Sequence, residues 1–384
     1  MPQLGAGFEG SDIVADCMFA NHNEIAEKEA RLRSLMDECG LAAVALSTNA
    51  NFAWFTCGGS NHVGIASEVG VAAAVFTGDA KYIVCDNIEA QRLADEEVAG
   101  QGFEFRTCEW YEARKIDLIR ELARGRRFGS DIPIEGATTV SSQLDAARRE
   151  LTDAEIQRYR LLGREVSECL LLTAQQIERG MTENQIAGVL NSHLISRGIV
   201  PIVTLIAADE RAAHYRHPLP TDKPTDRYVM IVTGARKWGL VVSATRIVCF
   251  DKVPKDLREK HDAVVRVDAE MINATRVGVP MNQVLRKAIE TYARCGFPEE
   301  WRFHHQGGPT GYKSRDFRVT LETEGCVSKN QPFAWNPSIS GTKSEDTIIA
   351  TSSGPLILSL AENWPTIEVD VEGNRIPRPD IFLK

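Results

Sequence analysis

Two capping-box signatures, each opening a long run with apolar residues at helical spacing, constrain this chain more than any other feature. Thr152-x-x-Glu155 introduces Leu161, Val166, Cys169, Leu170 and Ile177 and is stopped at Gly180, while Thr182-x-x-Gln185 starts a second helix stopped at Gly198. Residues 228–232 and 239–250 then read as an antiparallel strand pair around a turn at 234–237. Two further helices, 256–276 and 282–294, end at Gly278-Val-Pro280 and Gly296-Phe-Pro298, and the remainder is strand and loop. Two helices, a hairpin, two helices and a hairpin make a duplication of architecture without a residue-level repeat. An α+β domain is therefore expected from about residue 153 onward.

The first third carries a different pattern. Residues 23–39 have Ile25, Leu32, Leu35 and Met36 at helical spacing and stop at Gly40, after which 41–46 reads as a buried strand. Two more strands at 69–76 and 82–85, helices at 88–97 and 113–123, and a return to the sheet at 127–131 complete a small α/β domain. With 384 residues, 43% hydrophobic and 25% charged, the chain can bury two cores, and the expected division is 1–152 and 153–384.

Charge and cysteine usage narrow the function. The formal net charge of −9 comes without a long acidic or basic block, which gives no support for capture of nucleic acid or an anionic membrane. No segment approaches an uninterrupted apolar span, and the first 16 residues lack a secretory signal pattern. Nine cysteines lie singly in apolar contexts with no C-x-x-C pair, which predicts buried reduced thiols and a cytoplasmic location.

The polar chemistry concentrates late in the chain. Trp301-Arg-Phe-His304-His305-Gln306-Gly307-Gly308-Pro309-Thr310-Gly311-Tyr312 is followed by Ala334-Trp335-Asn336-Pro337 and Lys343-Ser344-Glu345-Asp346-Thr347. With Val229 to Arg246 and the earlier Asn51-Phe-Ala-Trp54-Phe55-Thr56-Cys57-Gly58-Gly59, these segments resemble the creatinase/aminopeptidase P/prolidase family. That resemblance implies a creatinase-like α/β N-terminal domain followed by an α+β pita-bread domain. In the family's frame, a first aspartate, a glycine, a second aspartate and a Thr-Arg pair occur at fixed offsets. Anchoring it on Gly239 and Thr245-Arg246 places Val232 and Ser243 at the two aspartates, Gly308 at the metal-binding histidine and Asn336 at the first glutamate. Only Glu345 keeps a ligand-type residue. Two divalent ions need several anionic oxygens or imidazoles to replace their water, so the expected site holds no metal and no cofactor.

One branch, resembling creatinase itself, works without metal and uses a histidine just before the first hairpin as proton shuttle. His217-Pro218 is the matching segment. The expectation is therefore a metal-independent hydrolase of a C–N bond in a small amide, amidine or amino-acid derivative. Its catalytic residues would be His217, Glu345 and His305, because imidazole can take and return a proton near neutral pH. His214, His304, Gln306, Gly307, Asn336, Thr245, Ser243 and Arg315 would shape the substrate pocket, with Gln306-Gly307-Gly308 leaving backbone amides open. Adjacent residues of an extended strand face opposite ways, so one ring of His304 and His305 should pack away.

Blander roles compete at each position. His217 could be a loop histidine bonded to backbone, Glu345 could pair with Arg246 or Lys343, and Arg315 could be a solvated surface charge. Ser243 and Cys326 lack any nucleophile signature. Four histidines, 214, 217, 304 and 305, match no H-E-x-x-H spacing, which makes a zinc site the lesser expectation. The partners expected are a small-molecule substrate and, as the resemblance implies, a second copy of the chain. The alternatives are an Xaa-Pro metallopeptidase with an altered metal site, or a catalytically inactive pita-bread binding protein.

Overall fold

Both capping boxes form. Thr152 N–H donates to Glu155 Oε2 at 2.7 Å and Glu155 N–H to Thr152 Oγ1 at 3.2 Å, opening the helix Asp153–Gln176. Thr182 and Gln185 exchange the same bonds ahead of the helix Glu183–Ile195. The computed structural model describes residues 22–384. These divide into one unit of the described residues up to Arg148 with Thr152–Arg158, and a second of Arg149–Leu151 with Tyr159–Lys384.

In the first unit, strands β1 (Ala43–Thr48), β2 (Val69–Phe76), β3 (Lys81–Asp86), β4 (Glu104–Cys108), β5 (Phe128–Ser130) and β6 (Thr138–Thr139) form one sheet in the order β4-β3-β2-β1-β5-β6. The helix His22–Cys39 stops at Gly40, whose φ of 64° suits the left-handed turn. Its buried face carries Glu24 and Lys28, paired with Arg158 and Glu155 in an ion network closed to water. The helix expected at 88–97 is instead a short turn, Ala90–Arg92, continued by a wider π-helical turn, Leu93–Glu97.

The second unit holds two four-stranded sheets. In one, the order is β18-β9-β8-β7, with β7 Val200–Ala208, β8 Tyr228–Lys237, β9 Leu240–Cys249 and β18 Phe382–Leu383. In the other it is β10-β11-β14-β15, with β10 Gly307–Pro309, β11 Gln331–Trp335, β14 Asp346–Thr351 and β15 Gly354–Ile357. A small hairpin, β12 (Ser338–Ile339) and β13 (Thr342–Lys343), lies between β11 and β14 in sequence, and a second, β16 (Thr366–Val371) and β17 (Asn374–Pro379), precedes β18. Helices Lys255–Ala274 and Met281–Arg294 pack Met271, Val284 and Tyr292 with Phe333 and Trp335 of β11.

The β8–β9 turn lies later than the sequence pattern suggested. Trp238 and Gly239 both have positive φ, 53° and 76°, the mark of a two-residue type I′ turn whose twist matches the flanking strands. The register then pairs Val232 with Thr245 and Gly234 with Ser243. Side chains alternate along a strand, so Tyr228, Met230, Val232, Thr245, Ile247 and Cys249 share one face. Its apolar end is a core, and Thr245 and Ser243 form its polar end. A bridge from Thr245 to Glu345 joins this polar end to the strand entering β14.

No described helix is long and apolar enough to cross a membrane. Eight cysteines are free thiols, but Cys326 is exposed and Cys39 and Cys295 are half-buried, so the expectation of uniformly buried thiols is corrected; Cys17 and the N-terminal segment lie outside the described residues.

Candidate active site

Three histidines converge in the second unit. His217 follows the helical turn Glu210–His214, and its neighbour Arg216 is tied to Glu300 at 2.6 Å, Ser338 Oγ at 3.2 Å and Ser340 Oγ at 3.0 Å. His304 and His305 precede β10, and Gln306 fixes the segment by donating to the carbonyls of His304 (2.6 Å) and Trp301 (3.2 Å) while accepting from Tyr292 OH (2.9 Å). His304 Nε2 lies 3.1 Å from His217 Nε2, and His304 Nδ1 lies 3.3 Å from Ser338 Oγ. Ring centres are 4.9 Å apart for His217 and His304, 5.9 Å for His217 and His305, and 4.4 Å for His304 and His305. One ring nitrogen from each lies within 4.8 Å of the others.

All three rings are biased toward the neutral form. Burial, then Lys343, pushes His304 down to about 2, and burial with Arg315 and Arg318 pushes His305 down to about 4. His217 is shifted the same way by burial and Lys343, against the pull of Glu345.

Beside the histidines lies a charged floor. Glu345 is 3% exposed, and its carboxylate accepts from Thr245 Oγ1 at 2.8 Å and Arg315 Nη2 at 2.9 Å and pairs with Lys343 Nζ at 2.7 Å. Arg315 also reaches Ser243 Oγ at 3.4 Å. Burial alone would raise the Glu345 carboxyl, but Lys343 and Arg315 outweigh it and hold it down at about 2. Its charge is balanced within the protein, so it is not available to orient a cationic substrate nitrogen. Lys343 and Arg315 pair with this one carboxylate, and Arg318 stands near His217 and His305 on the cavity wall, so the floor favours an anion.

Several expectations are corrected by this geometry. His304 and His305 both turn into the cluster, because strand pairing begins only at Gly307 and the alternation of a paired strand does not govern them. His214 is exposed against Tyr215, outside the cluster. The Gln306 side chain is engaged with backbone and Tyr292, and the residue lines the adjoining cavity. Gly307 and Gly308 lie in the β10–β11 ladder opposite Trp335 and Ala334 rather than in an open turn. Asn336 is buried with Oδ1 unpartnered, lying over Gly307, where an added Cβ would meet it at 3.0 Å. Arg246 pairs with Asp346, not Glu345.

Ser338 and Arg318 were not anticipated, and Lys343 was expected only as one alternative ion-pair partner of Glu345. Lys343 had a signal, since it sits two residues before Glu345 in extended chain and so on the same face. A cavity of about 560 Å³ adjoins the cluster, lined by His304, His305, Leu285, Trp301, Phe303 and Arg318.

Residues 157–352 match metallopeptidase family M24, and residues 29–162 match the Creatinase/Prolidase N-terminal domain. The chain belongs to family M24. An uncharacterized peptidase of Staphylococcus aureus (strain MW2) is 21% identical over 248 residues, covering 62% of this chain and 70% of that protein. The prolidase from Pyrococcus horikoshii OT3 superposes with a TM-score of 0.74 at 20% identity, over 88% of this chain and 99% of that one. A Xaa-Pro dipeptidase from Bacillus anthracis gives 0.73 at 16% identity, over 94% and 100%. The creatinase-like plus pita-bread architecture is thus the fold. The likenesses do not set apart the metal-independent branch, and their descriptions favour the peptidase alternative over a non-peptide hydrolase.

The metal ions implied by the M24 description do not fit this chain's frame positions. Val232 faces the apolar core, Ser243 and Asn336 offer neutral oxygens, and Glu345 is already neutralised by two fixed cations. At Gly308 a Cβ would stand 2.3 Å from the Phe317 carbonyl, so the backbone of 317–319 occupies the space a histidine side chain needs.

Proposed function

We propose that this M24 chain hydrolyses the amide C–N bond of a small, dipeptide-like substrate with a free carboxylate, at the histidine cluster. The observation that carries the reading is the juxtaposition of three neutral imidazoles with a floor of excess positive charge. Neutral imidazoles carry lone pairs that can activate a water, by taking its proton or by holding an ion that lowers its pKa. Lys343, Arg315 and Arg318 supply the charge that draws a substrate carboxylate, and the adjoining cavity, walled by Leu285, Trp301 and Phe303, has room for an apolar side chain. A guanidinium substrate meets the wrong sign of charge. The names of the structural neighbours, prolidase and Xaa-Pro dipeptidase, support the amide class.

The test is a panel of Xaa-Pro and other dipeptides, each also supplied as its C-terminal amide. The free acids should be cleaved about tenfold or more faster than the amides, the scale of one lost charge-assisted contact, and His304→Ala should abolish turnover. Equal rates on acids and amides, or no hydrolysis of any of them, would exclude the reading.

A further inference from the structure

We infer that His217, His304 and His305 form a mononuclear binding site for a zinc-type dication, distinct from the two-ion frame of the family. The inference rests on the reading of this cluster as the active centre and names what activates it. An ion held tetrahedrally at about 2.0–2.1 Å from two imidazole nitrogens keeps those nitrogens about 3.3 Å apart and the ring centres about 5 Å apart. The observed nitrogen separation is 3.1 Å for His217 and His304, the three candidate nitrogens lie within 4.8 Å of one another, and the ring centres lie 4.4, 4.9 and 5.9 Å apart.

A simple hydrogen bond between His217 and His304 accounts for the first distance alone. It leaves the third ring without a reason to be there, and His305 Nδ1 is buried with no hydrogen-bond partner in the protein. Ser338 completes the arrangement. Its hydroxyl lies 3.3 Å from His304 Nδ1, so an Nδ1–H donated to it fixes the tautomer that turns the Nε2 lone pair toward His217. Arg216 holds the same hydroxyl at 3.2 Å and so couples the His217 loop to the His304 ring.

The donor set selects the ion. Three neutral nitrogens and no carboxylate suit zinc, cobalt, nickel or copper and not magnesium, calcium or manganese. Lys343, Arg315 and Arg318 oppose added positive charge, which weakens the site relative to a bare trihistidine one and favours an anion as fourth ligand.

Full-length protein stripped with a chelator and titrated calorimetrically with zinc should take up one ion per chain. Cobalt in its place should give the visible absorption of a tetrahedral nitrogen site. Ser338→Ala should weaken zinc binding about tenfold or more, and His217→Ala and His304→Ala should abolish it. His217 is exposed, so its variant keeps the fold, which an unchanged melting curve checks. Glu345→Gln should retain the ion. No uptake, two ions per chain, or binding that survives the histidine variants but is lost with Glu345→Gln would overturn the inference. Zinc binding without dipeptide hydrolysis leaves this inference in place and removes the proposed function; hydrolysis by protein that binds no zinc does the reverse.

Discussion

Glu345 keeps its charge at full burial because Lys343 and Arg315 stand against it, so fixed cations do for this carboxylate what bound ions would otherwise do. Replacing one of them tests that balance. Lys343→Met leaves Glu345 with Arg315 and Thr245 only, and an underpaired buried charge costs roughly 3 kcal/mol. Burial then lifts the Glu345 pKa from about 2. The loss should therefore be largest near neutral pH and shrink as the pH falls toward about 4, where the carboxyl takes up a proton. Thermal denaturation of the variant and parent at both pH values measures it, and a loss independent of pH would reject the argument. Single positions such as Val232 and Gly308 could be placed on the family's frame from the sequence because the frame fixes their offsets. The meeting of His217 with His304 was not, since local spacing carries no information about a contact 87 residues apart.

Elements were more legible than the site they build. Caps and glycine stops act locally, so both capping boxes and the ends of the helices could be read from residues a few positions apart. Strand β7 was missed because its short apolar run follows a helix directly, and periodicity alone does not separate the two. Strand β10 leaves little room for a side chain at one frame position. Its Gly308 packs against the carbonyl of Phe317, and Gly308→His would drive a Cβ into that backbone. The expected result is about 2–4 kcal/mol of destabilisation with no gain of a second zinc ion, since the strand must shift to admit the ring. Denaturant unfolding with zinc titration checks both parts; a stable variant that binds an additional ion would show the space exists.

Across the whole molecule, acid stability should be governed by a histidine far from the cluster in sequence. His261 is buried in the helix Lys255–Ala274, with Nε2–H donating to the Pro379 carbonyl at 3.2 Å and Nδ1 accepting from Thr342 Oγ1 at 3.0 Å. Both nitrogens are occupied by the neutral form. Burial, against weaker pulls from Asp380 and Asp262 and with Arg258 nearby, lowers its pKa from 6.5 to about 4. Above 6.5 the ring is neutral folded and unfolded, and its contribution is fully present. Between 6.5 and about 4 only the unfolded chain takes up the proton, so stability falls with pH by about 1.4 kcal/mol per unit, roughly 3 kcal/mol in all. Asp268 works the other way. Burial raises it to about 6 despite Arg378, so folding gains stability as it protonates through part of the same window, which flattens the parent curve. His261→Gln keeps a donor for Pro379 and removes the titration. The difference in unfolding free energy between parent and variant should therefore change by about 3 kcal/mol between pH 7 and pH 4, the parent losing ground as acid is added, whereas parallel curves would mean that His261 takes up its proton as readily in the folded protein as in the unfolded chain.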